Sequence, residues 1–416
     1  MKDKGVPLSA WLLLAVSWLT FLLAYTGRQA IYSIFPILKS DLGFSNSQLG
    51  LTGSIFLWVY SFGSPLGGMV GDRFPFASVA QWSVIIWSLT SVATGFATTP
   101  EMVLSLRALL GITQCVFVPA ALAAIASVHS ETTRSKAFAI WGTAQLGGVV
   151  MGGWYGGFVA ERLDWRWVFW LVGAFGVGYG FILGPVIRRL LPSEKKESSQ
   201  NPKRSGSANP LNLFRTPTFC LFAVAFFIFC AMLWVIYAWL PTFFVEKFAF
   251  SLTSAGLTAT LSVQVTTAMG LLAGGFAADK LIGRFKEARV WILILGILGT
   301  APCLYLLANA VTPGATQVAA AAFGLFSGFY VSNAMASALD VVHRTRHATA
   351  VGVMNMVGGL SGGLSAYMIG RLKNDYGMEL MMSWVGATGV VALIVLLAAV
   401  FSSFRADYRR TQDACG

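Results

Sequence analysis

Long uncharged stretches alternate with short charged segments along the whole chain. A transmembrane helix needs about 20 mostly apolar residues, and eleven uncharged stretches are at least about that long, at 5–27, 42–71, 74–100, 108–130, 137–160, 167–187, 216–245, 248–278, 290–339, 347–370 and 380–404. The stretch 290–339 is long enough for two spans and contains the turn signal Thr312-Pro313-Gly314. The pattern therefore predicts an all-α membrane protein with twelve transmembrane helices.

The composition excludes a soluble protein. Only 11% of the 416 residues are charged, whereas about 25% of the residues of a soluble domain are charged. So few charges could not cover the surface of soluble domains with this total length. In a soluble protein the net charge of +12 would suggest a nucleic-acid partner, but in a membrane protein it reflects orientation.

The cations are distributed unevenly between the two sides of the predicted membrane. The segment 188–215 carries seven Lys or Arg residues among Ser, Asn and Pro, which is typical of a polar loop. It separates an N-terminal half, 1–187, from a C-terminal half, 216–416, with six predicted spans each. With the N-terminus inside, 21 of the 29 cations face the cytoplasm and six lie outside. This bias predicts a multi-pass protein of the cytoplasmic (inner) membrane with both termini in the cytoplasm.

The two halves repeat one short motif, which follows the second span of each half. The motif is a Gly pair followed by an acid and a base, and its two copies, 207 residues apart, are Gly67-Gly68 with Asp72-Arg73 and Gly274-Gly275 with Asp279-Lys280. Parallel six-helix repeats are the layout of transporters whose halves rock about a site near the membrane midplane. We therefore expect two pseudo-symmetric six-helix halves and transport by alternating access.

With this motif in both halves, the chain resembles the major facilitator superfamily over nearly its full length. In that family the acid of the motif pairs with facing helix ends and nearby cations to close the cytoplasmic side. The resemblance implies a set of gating residues: Asp72, Arg73, Glu131, Arg134, Asp279 and Arg344. Pro75 and Phe76 depart from the residues that usually follow the motif. Helix capping and orientation are the alternative roles for these charges.

Three short segments carry a closer resemblance: Tyr25-Thr-Gly-Arg28-Gln29, Arg107-Ala-Leu-Leu-Gly111 and Tyr237-Ala-Trp239-Leu240-Pro241-Thr242. They resemble the anion:cation symporter branch of the superfamily, which includes bacterial galactonate and glucarate importers and the vesicular glutamate and sialic acid carriers. The resemblance implies that an anionic sugar acid is held by Tyr25, Arg28, Tyr60, Arg107, Gln145, Ser332 and Asn355. For the uncharged residues of this set, hydrogen bonding between helices is the alternative.

Arg28 and Arg107 lie inside predicted spans, and physical reasoning supports a ligand for them. A guanidinium within a bilayer is costly unless it faces a wet cavity or a partner, and the spans offer no acid to pair with either one. Two unpaired guanidiniums suit a carboxylate, which binds such a fork through two hydrogen bonds. Tyr25 shares a helix face with Arg28 because the two are three residues apart. The alternative is that both arginines reach the membrane interface or helix-end carbonyls.

Two positions differ from the pattern of proton-coupled members of the branch. Those members have an Asp before the span 1 Arg and a Glu seven residues after the span 4 Arg, and here these positions are Gly27 and Gln114. Neither residue can take up a proton, so we expect an exchanger, a uniporter or coupling to another ion such as sodium. Gln114 remains a candidate substrate contact. Asp340 is the other acid that could titrate, with a structural role at its helix end as the alternative.

Other functions fit the sequence less well. Phosphate-exchanging members carry paired arginines on spans 1 and 7, but the counterpart of Arg28 is Leu233. Beside it, Trp234 and Tyr237 suit packing against a sugar face and are candidate substrate contacts. A sugar-phosphate/phosphate or monocarboxylate exchanger is the alternative to a sugar-acid transporter, with a membrane receptor or enzyme as a remote one. We expect no enzymatic activity, cofactor or metal site, because the spans lack clustered acids, HExxH pairs and cysteine ligand sets. We also expect a monomer.

Overall fold

The computed structural model describes residues 7–129, 131–191, 210–343 and 346–413, and all regular structure within these ranges is helical. The first helices are α1 Leu8–Ser33, α2 Phe35–Asp41, α3 Asn46–Arg73, α4 Phe76–Thr94, α5 Pro100–Gln114, α6 Phe117–Val128, α7 Glu131–Arg162 and α8 Trp165–Leu190. They are followed by α9 Pro217–Phe248, α10 Leu252–Ile282, α11 Ala288–Asn309, α12 Pro313–Asp340, α13 His347–Tyr376, α14 Met378–Ala398 and α15 Phe404–Asp413. A 3-10 turn, Pro210–Arg215, precedes α9, and a π-helix, Ala399–Ser403, precedes α15.

Many of these helices are long and apolar enough to cross a membrane. Nine candidate spans meet both criteria within the described residues, with α5 and α6 counted as one span and α14 counted together with the segment up to Thr411. Three further helices, α3, α7 and α13, contain 28, 32 and 30 residues, which is long enough to span a bilayer. The chain is therefore a multi-pass helical membrane protein, and the count of twelve spans stays a prediction.

Polar side chains at the start of several helices satisfy amide groups that have no partner inside the helix. At α3 the caps are reciprocal, because the Ser45 hydroxyl accepts from the Gln48 N–H while the Gln48 side chain accepts from the Ser45 N–H at 2.9 Å. The hydroxyls of Thr99 and Thr312 cap α5 and α12, each directly before a proline. These caps define where the chain enters each helix.

The helices are interrupted by a break at two places. Pro36, at the second position of α2, cannot donate the amide hydrogen bond that would continue α1. The second break falls at Cys115 and Val116, between α5 and α6. Gly67 of α3 packs directly on this second break, since a Cβ at that position would lie 2.5 Å from the Cys115 carbonyl oxygen. The break leaves Gln114 as the last residue of α5.

Contacts between Cα atoms divide the chain into two compact units, which are described separately. The first contains Met1–Ser199 and Ala249–Thr260, and the second contains Gln200–Phe248 and Leu261–Gly416. The predicted halves and linker, with boundaries at 188 and 215, stay a prediction, and residues 192–209 of that linker lie outside the described residues.

In the first unit, α1 and α7 approach closely along a row of glycines. A Cβ at Gly148, Gly152 or Gly156 would lie 2.7, 2.5 or 2.4 Å from a backbone carbonyl oxygen of α1. These positions are four residues apart, so they share one face of α7. The close approach fixes α1, which carries Tyr25 and Arg28. On α7, Glu161 accepts a hydrogen bond from the Thr253 N–H at 3.1 Å.

Candidate functional site

Arg28 of α1 is buried in the first unit, with only 4% of its surface exposed. Its Nη2 donates a hydrogen bond of 2.8 Å to the Gln114 side-chain oxygen. Its guanidinium carbon lies 4.3, 4.5 and 4.9 Å from the ring centroids of Tyr25, Phe56 and Tyr60. Aromatic faces attract a cation, and the neutral amide orients it. The arrangement therefore holds the positive charge in place without neutralising it.

Arg107 of α5 is buried more deeply, with 1% of its surface exposed. Its Nε donates to the backbone carbonyl of Thr52 at 3.3 Å, and its guanidinium carbon lies 5.0 Å from the Phe56 centroid. Its Nη1 and Nη2 atoms have no hydrogen-bond partner among the described residues. The buried Tyr32 hydroxyl interacts electrostatically with this guanidinium but lies outside hydrogen-bond geometry. The two terminal nitrogens of Arg107 are therefore buried beside the Tyr32 hydroxyl, without an acceptor in hydrogen-bond geometry.

The backbone of α3 and α5 brings these side chains together. A Cβ at Gly111 would lie 2.9 Å from the carbonyl oxygen of Phe56, so only a glycine allows the two helices to approach this closely. Arg107 precedes Gly111 by one helical turn and therefore projects from the same face of α5. Phe56 is fully buried and contacts both guanidiniums. The close helix packing at Gly111 thus places Arg107 beside Phe56.

Neither arginine is neutralised by an acid in the described part of the first unit. The described ion pairs of this unit join Arg166 to Asp41 and Asp164, at the ends of helices. A buried cation without a counterion is costly in a low-dielectric interior, so this pair of charges is an unusual feature. Oriented guanidiniums of this kind bind carboxylate, sulfonate or phosphate groups.

A small cavity lies between α1, α4, α5 and α8 and reaches Gln114, the residue that accepts a hydrogen bond from Arg28. Its volume of about 20 Å³ is enough for one water molecule, and its lining includes Gly27, Gln114 and Tyr179. A Cβ at Gly27 would meet nothing closer than Val172 at 3.9 Å, so the missing side chain leaves open space there. The residues lining this cavity include hydroxyl and amide groups but no carboxyl group.

Gln145, predicted to contact the substrate, lies half-buried on α7. In the described structure it makes no hydrogen bond to Arg28 or Arg107, whose side-chain hydrogen bonds go to Gln114 and to the Thr52 carbonyl. The structure therefore brings together five of the six candidates of the first unit, and Gln145 is outside this set of contacts.

The four candidates of the second unit have different surroundings. The rings of Trp234 and Tyr237 on α9 meet edge to face with centroids 5.6 Å apart. The Ser332 hydroxyl donates to the Phe329 carbonyl at 3.0 Å and accepts from the Asn333 amide at 2.9 Å. Asn355 of α13 is exposed. The Ser332 hydroxyl is thus engaged within the unit, with its proton donated to a backbone carbonyl, whereas the Asn355 side chain is accessible.

The predicted gating residues are only partly described. Arg344 and the side chains of Asp72 and Glu131 lie outside the described residues. Arg73 and Asp279 are exposed near the C-terminal ends of α3 and α10, and the Nε of Arg134 is buried without a hydrogen-bond partner in the described structure. The described ion pairs include none of these three side chains. The gate therefore stays a prediction.

Asp340, the remaining acid that could titrate, has a structural partner. Arg289 Nη1 donates to both carboxylate oxygens of Asp340, at 2.7 and 2.8 Å. Arg289 lies in the first turn of α11 and Asp340 ends α12, so each charge has the wrong sign for its own helix end. The ion pair compensates for both unfavourable interactions between a charge and a helix dipole. This agrees with a structural role for Asp340 at its helix end.

The sequence reasoning missed Phe56, Tyr32 and the Thr52 carbonyl. A signal for two of them exists, because Phe56 precedes Tyr60 by four residues and Tyr32 follows Arg28 by four. Residues at this spacing share a helix face. An aromatic residue one helical turn from a predicted substrate contact therefore indicates a further member of the site.

Known proteins resemble the chain over nearly all of its length. A sequence profile of the Major Facilitator Superfamily matches residues 17–366. A probable sulfoacetate transporter from Cupriavidus necator is 27% identical over 408 residues, which cover 94% of this chain and 93% of that protein. The D-galactonate transporter of Escherichia coli is 21% identical over 413 residues, which cover 94% of this chain and 95% of that protein.

A solved structure shows the same fold. It is a bacterial homolog of the human lysosomal transporter Spinster in an inward-facing, occupied conformation, with a TM-score of 0.83 at 20% identity. The match covers 97% of this chain and 99% of that one. Together with the profile match, this places the chain among transporters rather than enzymes: it belongs to the Major Facilitator Superfamily.

Proposed function

We propose that the protein is a secondary transporter that moves a small organic anion, a sugar acid of the hexonate or uronate type, across the bacterial cytoplasmic membrane by alternating access. The observation that carries this proposal is the pair of buried guanidiniums, Arg28 and Arg107, which have no acidic partner in the described part of the chain. Such charges are costly inside a membrane protein, and a substrate carboxylate supplies the missing anion. Relatives named for sulfoacetate and D-galactonate support an acidic organic substrate.

The contacts of the first unit suggest a division of roles. We assign the Nη1 and Nη2 atoms of Arg107, which have no acceptor in the described structure, to the substrate carboxylate, bound through two hydrogen bonds. Arg28, oriented by Gln114, adds a second cation, and the Tyr25 and Tyr60 rings that pack on Arg28 are proposed to contact the sugar. The proposed contributions of Gln145 and of the second-unit residues rest on the family resemblance: Trp234, Tyr237, Ser332 and Asn355.

Transport by this site does not depend on a carboxyl group beside Arg28. Gly27 and Gln114 carry no titratable group, and the cavity that they line contains no carboxyl side chain. Asp340 is held by Arg289. We therefore propose exchange, uniport or coupling to an ion other than the proton.

Ligand binding tests the proposed substrate class. Purified protein in detergent is screened by thermal unfolding against hexonates, uronates, amino-sugar acids, monocarboxylates and sugar phosphates. A ligand of the folded state raises the unfolding midpoint, so we expect sugar acids to raise it and Arg28→Gln to abolish the shift. The matched control is Arg162→Gln, because Arg162 also lies over an aromatic ring, 3.8 Å from the Phe158 centroid, but is exposed at the end of α7. A shift with sugar phosphates alone would contradict the proposal.

Counterflow in proteoliposomes tests the coupling mode. Vesicles are loaded with unlabelled substrate, and uptake of labelled substrate is followed after the pH gradient is collapsed. We expect the exchange to persist. Strict dependence of both net uptake and exchange on an inward proton gradient would rule out proton-independent transport.

A further inference from the structure

The C-terminal helix α15 has one face packed on the second unit and one face exposed. Phe404 and Asp407 are buried and contact α9. Arg405, Arg409 and Arg410 lie on the other face, where 77% of the Arg405 side chain and 81% of the Arg410 side chain are exposed. The helix is therefore amphipathic, and its exposed face carries three arginines.

The start of α15 lies at the edge of the hydrocarbon layer. The chain is helical from Met378 to Thr411, a length of 34 residues or about 51 Å, whereas the hydrocarbon core is about 30 Å thick. The uncharged stretch predicted as the last span ends at residue 404. Just before that point, Phe401 is 76% exposed and its ring meets the Trp291 ring edge to face, with centroids 6.4 Å apart. Aromatic side chains of this kind are typical of the membrane interface, so the arginines that follow lie at the depth of the lipid headgroups.

The connection between α10 and α11 adds a further cation beside α15. Lys286 is exposed, and its Nζ lies 5.3 Å from the centroid of the Tyr408 ring. The neighbouring Glu287 is buried and is already paired with Arg405. In contrast, Lys286 and Arg409 form no ion pair within the described structure. Both of these charges are therefore available to an anion from outside the chain.

The anion that suits this surface is the headgroup of a lipid. Basic residues on an amphipathic helix at the membrane surface attract anionic lipids, and the exposed Phe401 ring beside them provides an apolar contact for an acyl chain. Orientation of the chain in the membrane requires cations near the ends of spans. It does not require that two segments far apart in the sequence bring their cations together around one aromatic ring, as Lys286 and α15 do around Tyr408.

We propose that α15 and the connection between α10 and α11 form a binding site for an anionic phospholipid of the leaflet on the side predicted to face the cytoplasm. Lys286 and Arg409 hold the phosphate headgroup, and an acyl chain packs along Phe401. Because Lys286 directly precedes the first turn of α11, the bound lipid links the end of the last span to the start of α11 and stabilises the second unit.

Short-chain lipids test this proposal on the purified full-length protein in a neutral detergent. Dihexanoyl phosphatidylglycerol and dihexanoyl phosphatidylcholine have the same acyl chains and differ in the net charge of the headgroup, and glycerol phosphate serves as the free headgroup. A ligand of the folded state raises the unfolding midpoint, so a titration with each compound measures its affinity. A cation near an anionic lipid surface contributes about five-fold in affinity. We therefore expect phosphatidylglycerol to bind about 20-fold more tightly than phosphatidylcholine, and glycerol phosphate to leave the midpoint unchanged.

A matched pair of double variants assigns the effect to this surface. Lys286→Gln combined with Arg409→Gln removes the two unpaired cations, and we expect the ratio of the two lipid affinities to fall to about one. Arg162→Gln combined with Arg371→Gln removes the same charge from exposed arginines towards the C-terminal ends of α7 and α13. This control is expected to keep the full ratio.

Three outcomes would overturn the proposal. The first is equal affinity of the wild type for the two lipids. The second is an equal fall of the ratio in both double variants, because net charge alone would then explain the preference. The third is a midpoint shift with glycerol phosphate as large as that with phosphatidylglycerol, which would indicate a site for a soluble phosphate. If the Lys286→Gln and Arg409→Gln variant does not fold, native mass spectrometry of the wild type from an equal mixture of the two lipids decides: we expect mainly phosphatidylglycerol to be retained, and equal retention would contradict the site.

Discussion

The two units differ in how they treat their buried or half-buried cations. In the second unit, Arg289 contacts both oxygens of Asp340, and Lys373 donates to Glu246 at 2.6 Å. In the first unit, Arg28 and Arg107 lie within helices and contact aromatic rings, an amide and a carbonyl instead of an acid. Arg166, at the start of α8 in the first unit, is paired with acids too, so the contrast is between cations near helix ends, which the chain pairs, and Arg28 and Arg107 within helices, which we propose bind a ligand. The contrast predicts that removing each kind of cation has a different consequence.

Removal of the unpaired cations is expected to have the largest effect, on transport. In Arg107→Gln and Arg28→Gln the substrate loses a charged partner in a buried site, which costs about 2–5 kcal/mol of binding. We expect uptake by proteoliposomes to fall about 100-fold in kcat/KM by the same estimate. The unfolding midpoint should stay unchanged or rise, because a buried uncompensated charge is removed. Uptake by these variants at the rate of Arg162→Gln would show that the arginines are structural.

Breaking an ion pair in the second unit should have the opposite effect, a loss of stability with little loss of transport. Asp340→Asn leaves Arg289 without its charged acceptor, and we expect a loss of about 1.5–3 kcal/mol of unfolding free energy. Transport by the protein that remains folded should be close to normal. In a double-mutant cycle, Arg289→Gln combined with Asp340→Asn should recover part of the loss. A loss of transport at an unchanged unfolding midpoint would instead assign Asp340 to the transport cycle.

A smaller effect is expected from the cap on α9. The Thr218 N–H and hydroxyl donate to the Asp407 carboxylate at 3.1 and 2.7 Å, and Asp407 is buried. Asp407→Asn removes a negative charge from a helix N-terminus, and we expect a loss of about 1 kcal/mol. Thermal unfolding in detergent measures it. Asp375→Asn, at an exposed acid near the end of α13, should leave the midpoint unchanged. If both variants lowered the unfolding midpoint equally, the loss could not be attributed to the cap.

The smallest effect concerns pH. The hydrogen bond from Arg405 holds the pKa of Glu287, a carboxyl outside the spans, below its ordinary value. A lowered folded-state pKa means that the stabilisation is present above the unfolded-state pKa, about 4.3, and is lost as the pH falls through the folded-state value. Because Arg405 is largely exposed, the effect should be about 0.5 kcal/mol. Thermal unfolding of Glu287→Gln should differ from that of the wild type at pH 7 and converge on it at acidic pH. A constant difference across this range would contradict the assignment.

Much of the fold and part of the site could be predicted because charge is rare in this chain. The two arginines stand out in apolar spans, and the family segments around them indicate Tyr25 and Tyr60. Phe56 could not be found in the same way, since its residue type carries no signal in an apolar helix and only its position, four residues before Tyr60, indicates it. The family resemblance also assigns Gln145 to the site, and this assignment stays a prediction, because a sequence pattern does not determine how a helix is rotated or which rotamer a side chain adopts.

Ion pairs between residues far apart in the sequence could not be predicted either. Asp340 could be recognised as a possible proton carrier, but its partner Arg289 lies on another helix, 51 residues earlier in the chain. Hydrophobic patterns locate helices, whereas such contacts depend on which helix ends become neighbours. The segment Ala249–Thr260, which groups with the first unit, is a further arrangement that the linear pattern does not reveal.

The Asp407 cap also has a consequence for synthesis of the chain. The two partners are separated by 189 residues, so the first turn of α9 emerges from the ribosome long before the residue that completes its hydrogen bonds. Folding of the second unit can therefore finish only after Asp407 has been made. A product that stops before Asp407 lacks this contact, so the first turn of α9 loses the carboxylate that accepts its hydrogen bonds.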